Sequence, residues 1–354
     1  MNVVYYGKSG DAEAIERIKK CNLPVIIGGI GSVADAVEKK LLENGISTFK
    51  RCPVKLIDGE IQIEGEVPYE KYIYAYGFLD SYRYPLRLFN TLKGCDGVAI
   101  FSELYETESF TYDYYINHEE VFKKTYEIMK DDFSKLSMEA YITARINESA
   151  EGLYQLVTRP QYFGVDFFEN IKDEFLVDCG AFNGDTLRDF VSWTENTYKG
   201  YIALEPNKKN ANALRKYINE TGIKNVDVIE KCAYERTEEL SFRINAENSR
   251  IAKTGAEVET VLADTIDNIS SGQKVTFIKM DIEGAELSAL KGAEYTIKSD
   301  RPILAISAYH KPSDLIELTS YIKDCVEEYN FYFRLHKELP IDAILYAVPA
   351  ERNL

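Results

Sequence analysis

The sequence predicts an α/β protein made of two doubly wound parallel sheets, and three observations carry that expectation. Apolar runs of strand length alternate with stretches of helical spacing along most of the chain. Glycine-rich turns follow two of those runs, at 28–32 and at 180–184. The 354 residues also exceed the ~100–200 of a usual single domain, so two domains are expected.

The elements follow in order. Val3 to Tyr6 reads as a short edge strand, and Pro24 to Ile27 as a buried one, with its turn at Gly28-Gly29-Ile30-Gly31-Ser32. Val33, Val37 and Leu41 have helical spacing over 33–44, and Gly45 ends that helix. Strands are expected at 72–76 and 98–101, with a helix over 84–92 between them. Residues 112–172 change character, with Met138, Tyr141, Ile142 and Ile146 at helical spacing, and read as two or three helices. The boundary falls near 105–118, giving an α/β domain over 1–115 and a helical lead-in plus second α/β domain over 116–354.

From Phe175 the alternation is plain. Strands are expected at 175–177, 201–204, 226–229, 275–280 and 303–307, with helices over 185–193, 208–219, 287–299 and 313–326. A final pair, 331–335 and 343–348, makes an antiparallel hairpin at the sheet edge, with its turn at Leu339-Pro340.

Composition excludes several classes. Asp plus Glu is 58 against 42 Lys plus Arg, a net charge of −16, which disfavours nucleic acid as a ligand. No apolar run approaches the ~18 residues of a membrane helix, and the first ten residues lack the basic and apolar regions of a secretion signal. Six scattered cysteines without a C-x-x-C pair, beside three histidines, disfavour a zinc cluster and suit reduced thiols in a cytoplasm.

In an open α/β sheet, ligands bind beyond the carboxyl ends of the strands. Here those ends carry Asp178 to Asp185, Glu205, Cys232-Ala233, Asp281 and His310. Gly180 and Gly184 allow a tight turn, and Glu205 stands where an acid takes ribose hydroxyls. That pattern suits NAD or S-adenosylmethionine. The helix start favours the latter, because Asp185 would repel a diphosphate, whereas Asp178 and Asp185 suit a cationic ligand. Asp185 also reads simply as a helix cap. Asp281 and His310 are candidates for the base that takes a hydroxyl proton, with a hydrogen-bonded structural histidine as the other reading of His310. A histidine base would give a rate that falls as pH drops through ~6.5. Glu283 and Glu286 open a helix, where acids are favoured by the dipole, and capping explains at least one of them. A divalent metal on Asp281, Glu283 and His310 is the weaker alternative.

The segment FLVDCGAFNGDTLRDF from Phe175, Leu204-Glu205-Pro206-Asn207, IKMDIEGAELSALKG from Ile278, and Arg301-Pro302 together resemble the FkbM family of S-adenosylmethionine-dependent methyltransferases. The resemblance covers roughly residues 135–350. It implies a class I methyltransferase fold and O-methylation of a sugar, glycoconjugate or natural-product hydroxyl. It implies cofactor contacts from Asp178, Gly180, Ala181, Asn183 and Gly184, with ribose on Glu205. The third motif is weaker: Cys232-Ala233 stands where the adenine-side contact would be expected.

In the first domain Gly29 to Ala34 satisfies G-x-G-x-x-A after a strand, but the acid expected ~20 residues on is missing. The loop is similar to the nucleotide-binding front domains of sugar-modifying acyltransferases, and Lys50 and Arg51 could meet a phosphate. A Rossmann-like domain that serves docking or homo-oligomer formation is at least as good a reading. The competing function is accordingly a nucleotide- or sugar-nucleotide-binding protein that uses the second fold as a scaffold. His118 and His336 read as ordinary structural residues.

Overall fold

The structure is a computed structural model. It describes residues 1–7, 10–28, 32–57, 60–64, 69–77, 95–100, 110–149, 152–243, 250–251 and 258–354. The Gly29-Ile30-Gly31 turn, the helix expected over 84–92 and residues 105–109 of the expected domain boundary lie outside them.

The first sheet uses β1 (Val25–Gly28), β2 (Phe49–Cys52), β5 (Tyr72–Gly77) and β6 (Cys95–Ile100), with the hairpin β3 (Val54–Ile57) and β4 (Glu60–Ile63) apart from it. Its order is β2-β1-β5-β6, every neighbour parallel. Parallel strands are covered on both faces, hence the unbroken apolar run of β1. Helix Gly10–Cys21 contributes Ala14, Ile15 and Ile18 to this core, and helix Ser32–Glu43 contributes Ala34, Val37 and Leu41.

Among the described residues, the expected edge strand at Val3 to Tyr6 joins no sheet. That segment instead runs along helix Asp132–Asn147, where the N–H groups of Asn2, Val4 and Tyr6 donate to Glu139, Thr143 and Asn147. Alternate strap residues lie ~6.7 Å apart and every fourth helix residue ~6 Å apart, so the two repeats match. Three α-helices, Tyr112–Asn117, Glu119–Ile128 and Asp132–Asn147, occupy the lead-in.

The larger sheet comprises β7 (Phe175–Cys179), β8 (Gly200–Leu204), β9 (Val226–Ile229), β14 (Phe277–Met280), β15 (Ile303–Ser307), β16 (Tyr329–Leu335) and β17 (Ala343–Pro349). Its order is β16-β17-β15-β14-β7-β8-β9, parallel except that β17 runs against β15 and β16. Alternation along each strand feeds two cores. Val177, Ile202, Ile278 and Leu304 enter one, while Leu176, Tyr201, Phe277 and Ile303 enter the other. The helix expected over 287–299 is two helices, Glu286–Lys291 and Glu294–Asp300, on either side of Gly292, where a Cβ would meet the Tyr234 carbonyl oxygen at 2.0 Å.

A further small sheet lay outside the sequence reading. It comprises β10 (Cys232–Ala233), β11 (Glu238–Arg243), β12 (Arg250–Ile251) and β13 (Val258–Asp264), in the order β10-β13-β11-β12 between β9 and β14.

Candidate active site

The turn after β7 rests on a buried ion pair. Asp178 and Lys279 are register partners on β7 and β14, and Lys279 Nζ lies 3.0 Å from Asp178 Oδ1 with both side chains buried. Lys279 also donates to the Gly180 carbonyl at 2.8 Å, while the Tyr201 hydroxyl donates to Asp178 Oδ2. Both Asp178 oxygens are therefore occupied and none of its surface is exposed. This corrects the expectation that Asp178 contacts the cofactor and attracts a cation: its charge is already compensated, and it supports the turn from beneath.

Above it, Gly180 has φ +85° and a Cβ there would meet the Asp281 carbonyl oxygen at 2.1 Å; Gly184 has φ +89° and abuts Leu214 at 2.6 Å. Both glycines are required by close approach as well as by backbone conformation. Ala181 turns into the core beside Leu187 and Leu214. Asn183 and Asp185 are exposed on the turn. Gly184 occupies the helix N-cap, and Asp185 Oδ1 accepts from Thr186 N–H at 2.8 Å.

Glu205, at the end of β8, is nearly buried. Its Oε2 accepts from Phe182 N–H at 2.9 Å and its Oε1 from Asn207 N–H at 2.8 Å. Burial pushes its carboxyl up to about 6, opposed by those two backbone donors. Each carboxylate oxygen keeps accepting capacity beyond one N–H. Ala233, expected on the adenine side, lies in β10 with its side chain in the main core, so its methyl is not a cleft surface.

At the ends of β14 and β15 the groups converge on Asp281. Its Oδ1 accepts from the Tyr309 hydroxyl at 3.3 Å and faces His310 Nε2 at 3.4 Å, and its Oδ2 accepts from the Tyr162 hydroxyl at 3.4 Å. Behind it, His310 Nδ1 meets Glu286 Oε1 at 2.9 Å, and that oxygen also accepts from Ile282 N–H at 2.9 Å. Glu283 Oε2 lies 3.8 Å from His310 Nε2. Burial alone would lower the imidazole pKa, but Glu286, Asp281 and Glu283 around it raise it to about 10. This corrects the reading of His310 as a base of ordinary strength: at neutral pH it carries its proton. Asp314, buried against the same cluster, is pushed up to about 7 by burial and by the charge of Glu286.

Asp281, Glu286 and His310 each offer an atom within 4.8 Å of the others, the arrangement a cation would need. Glu286 thus joins this group in place of the expected Glu283. The carboxylates, however, address opposite ring nitrogens, and one ion can bind only one of them. An imidazolium satisfies both sides with its two N–H donors, so this donor set fits a buried cationic histidine better than a metal.

Several residues escaped the sequence reading. Lys279 was detectable, since a lysine inside a buried strand demands an acid partner. Tyr162 was not, because it lies 119 positions from Asp281. Elsewhere, Arg51 pairs with Asp35 at 2.7 Å and Glu38 at 2.6 Å. His118 and His336 are structural; His336 Nδ1 meets the Thr158 carbonyl at 2.8 Å and its Nε2 the Tyr346 hydroxyl at 2.9 Å.

A seven-stranded sheet with one reversed strand, a glycine turn after β7 and an acid after β8 defines the class: this is the α/β fold of class I methyltransferases. The sequence of that sheet points the same way: residues 178–331 match the methyltransferase FkbM domain. The crystal structure of methyltransferase FkbM from Methylobacillus flagellatus KT is similar at 22% identity, over 96% of this chain and 93% of that chain, with a TM-score of 0.66. An rRNA methylase from Streptococcus thermophilus is 13% identical over 51% of this chain and 87% of that one, with a TM-score of 0.33. The SAH-bound methyltransferase of Podospora anserina is 11% identical over 67% and 87%, with a TM-score of 0.32. No curated protein matches the chain. Among the described residues, no helix is long and apolar enough to cross a membrane.

Proposed function

We propose that the protein is an S-adenosylmethionine-dependent O-methyltransferase acting on a hydroxyl of a sugar, glycoconjugate or other natural product. What supports this most is the convergence of the glycine turn, Glu205 and Asp281 on the ends of three adjacent strands, β7, β8 and β14. The donor set fits a nucleoside without phosphate. Glu205 is a buried acceptor suited to two hydroxyls, while 178–185 holds no Lys or Arg and the nearby Lys279 is paired with Asp178. Turn residues 180–184 and Glu205 would hold the cofactor.

When bound, S-adenosylmethionine supplies a methyl group made electrophilic by its sulfonium. Asp281 would take the proton released by the acceptor hydroxyl on transfer. The Tyr162 and Tyr309 hydroxyls fix the Asp281 carboxylate from either side. His310, held by Glu286, is a positioning residue that faces Asp281 with a positive charge. In this reading residues 1–115 are a separate Rossmann-like unit for docking or nucleotide binding, and residues 116–354 carry the chemistry.

Calorimetry with S-adenosylmethionine, S-adenosylhomocysteine and NAD tests the reading. The two adenosyl thioether ligands should bind and NAD should not; NAD binding without S-adenosylhomocysteine binding overturns it.

A further inference from the structure

The acceptor side of the cleft is acidic beyond what the transfer step uses. Asp342 stands at the head of β17, at the same end of the sheet as Asp281 and His310. Ser307 pairs with Ile344, and the Ala308 N–H donates to the Ala343 carbonyl at 2.9 Å, so Tyr309 and Asp342 are next in register. Two consecutive residues of one loop tie the carboxylates together: Gln161 hydrogen-bonds Asp342 and the Tyr162 hydroxyl reaches Asp281. Asp342 is only 6% exposed, and among the described residues its Oδ2 has no hydrogen-bond partner.

A buried carboxylate oxygen left unpaired beside a second carboxylate is costly, and a donor from a ligand would relieve it. Among the described residues, Lys337 acts on Asp342 by its charge, and two other cations at this end are engaged by protein groups. His310 lies among Asp281, Glu283 and Glu286, and Lys311 Nζ donates to the Gly284 carbonyl. A phosphate or carboxylate on the acceptor would face two carboxylates, Asp281 and Asp342, against the nearby charge of Lys337. An ammonium beside the reacting hydroxyl would face two carboxylates at once.

We propose that Asp342 is an acceptor-recognition residue that selects hydroxyl acceptors bearing an amine, such as amino sugars or aminocyclitols, and rejects phosphorylated ones. This rests on the methyltransferase reading of the same cleft. Burial and the charge of Asp281 raise the Asp342 carboxyl to about 6, so it is mostly ionised at neutral pH and available to an ammonium.

The test uses the full chain saturated with S-adenosylhomocysteine, at about pH 7, where an aliphatic amine is largely protonated. D-glucosamine, D-glucose and D-glucose 6-phosphate, which differ chiefly in charge, are titrated by calorimetry or ligand-observed NMR. Glucosamine should bind about tenfold or more tighter than glucose, and the phosphate ester weakest. Asp342→Asn should erase the gap between glucosamine and glucose. Asn tolerates the left-handed backbone at this position (φ +49°), so the variant should fold. Gln161→Leu, which leaves the charge in place, should keep the ranking. Equal binding, no glucosamine binding, tightest binding of the phosphate ester, or a ranking that survives in Asp342→Asn each overturns the proposal. So does a fall in S-adenosylhomocysteine affinity in Asp342→Asn, which would assign the carboxylate to the cofactor's own ammonium. Failure of the unmodified protein to bind S-adenosylhomocysteine would instead sink the methyltransferase reading, independently of the sugar ranking.

Discussion

Lys279 carries the turn after β7, and its removal should show how much. Lys279→Met leaves Asp178 buried without its counter-charge, a loss of about 3–5 kcal/mol, read as a lowered midpoint in chemical denaturation. Replacing the pair together, as Lys279→Met with Asp178→Leu, should recover most of it, because the uncompensated charge is gone. Glu205 gives a prediction in pH. Its carboxyl is raised to about 6 from 4.5 in the free protein. If Glu205 takes the ribose as proposed, the hydroxyls would donate to its ionised form, so S-adenosylhomocysteine affinity should be flat above neutral pH and fall as pH drops through about 6. For the free protein the sign is opposite: the buried ionised carboxylate costs stability above that range, and protonation relieves it. Glu205→Ala should weaken S-adenosylhomocysteine by about one to two decades with the fold intact; unchanged affinity would remove Glu205 from the cofactor site. Asp281→Asn should lower turnover by about 10²–10⁴ while leaving cofactor affinity nearly unchanged. The candidates at strand ends were legible because strand and turn signals alone locate them. The burial of Asp178 and the protonation of His310 were not, since each depends on a partner about 100 or 24 residues away.

At the scale of elements, helix Asp132–Asn147 joins parts distant in sequence. One side takes the strap at 2–6. Toward the cleft, Arg145 donates to the Tyr309 carbonyl at 2.9 Å and the Tyr141 hydroxyl to the Ala308 carbonyl at 3.3 Å, just before His310. Asn147 is the strap's anchor, accepting from Tyr6 N–H at 2.9 Å and donating to the Val4 carbonyl at 2.7 Å. Asn147→Ala should cost about 1–2 kcal/mol and speed hydrogen exchange at Val4 and Tyr6. Unchanged exchange would mean the strap is held by Tyr5 stacking on Tyr112 instead. The sequence marked 3–6 as a strand because Val-Val-Tyr-Tyr has strand propensity. The backbone is extended as expected, but a polar helix edge supplies its partners in place of a sheet.

For the whole molecule, separate apolar clusters lie on the two α/β sheets. A ligand at the larger sheet should therefore raise the melting of that unit alone, by about 2.7 kcal/mol at a hundred times its Kd. Scanning calorimetry with S-adenosylhomocysteine checks this; equal shifts of both transitions would show one cooperative unit. Taken by itself, the sequence determined the two α/β alternations, the reversed final hairpin, the glycine turn with its acids, and the family resemblance. These are local patterns, fixed by periodicity and by residues a few positions apart. Tertiary structure alone decided which acids are spent and which are open. Asp178 is neutralised by its register partner, Asp281 keeps part of its carboxylate at the cleft, and Glu286 became the clamp on His310. Charge, burial and protonation are properties of a neighbourhood, and the neighbourhood forms only when strands distant in sequence lie side by side.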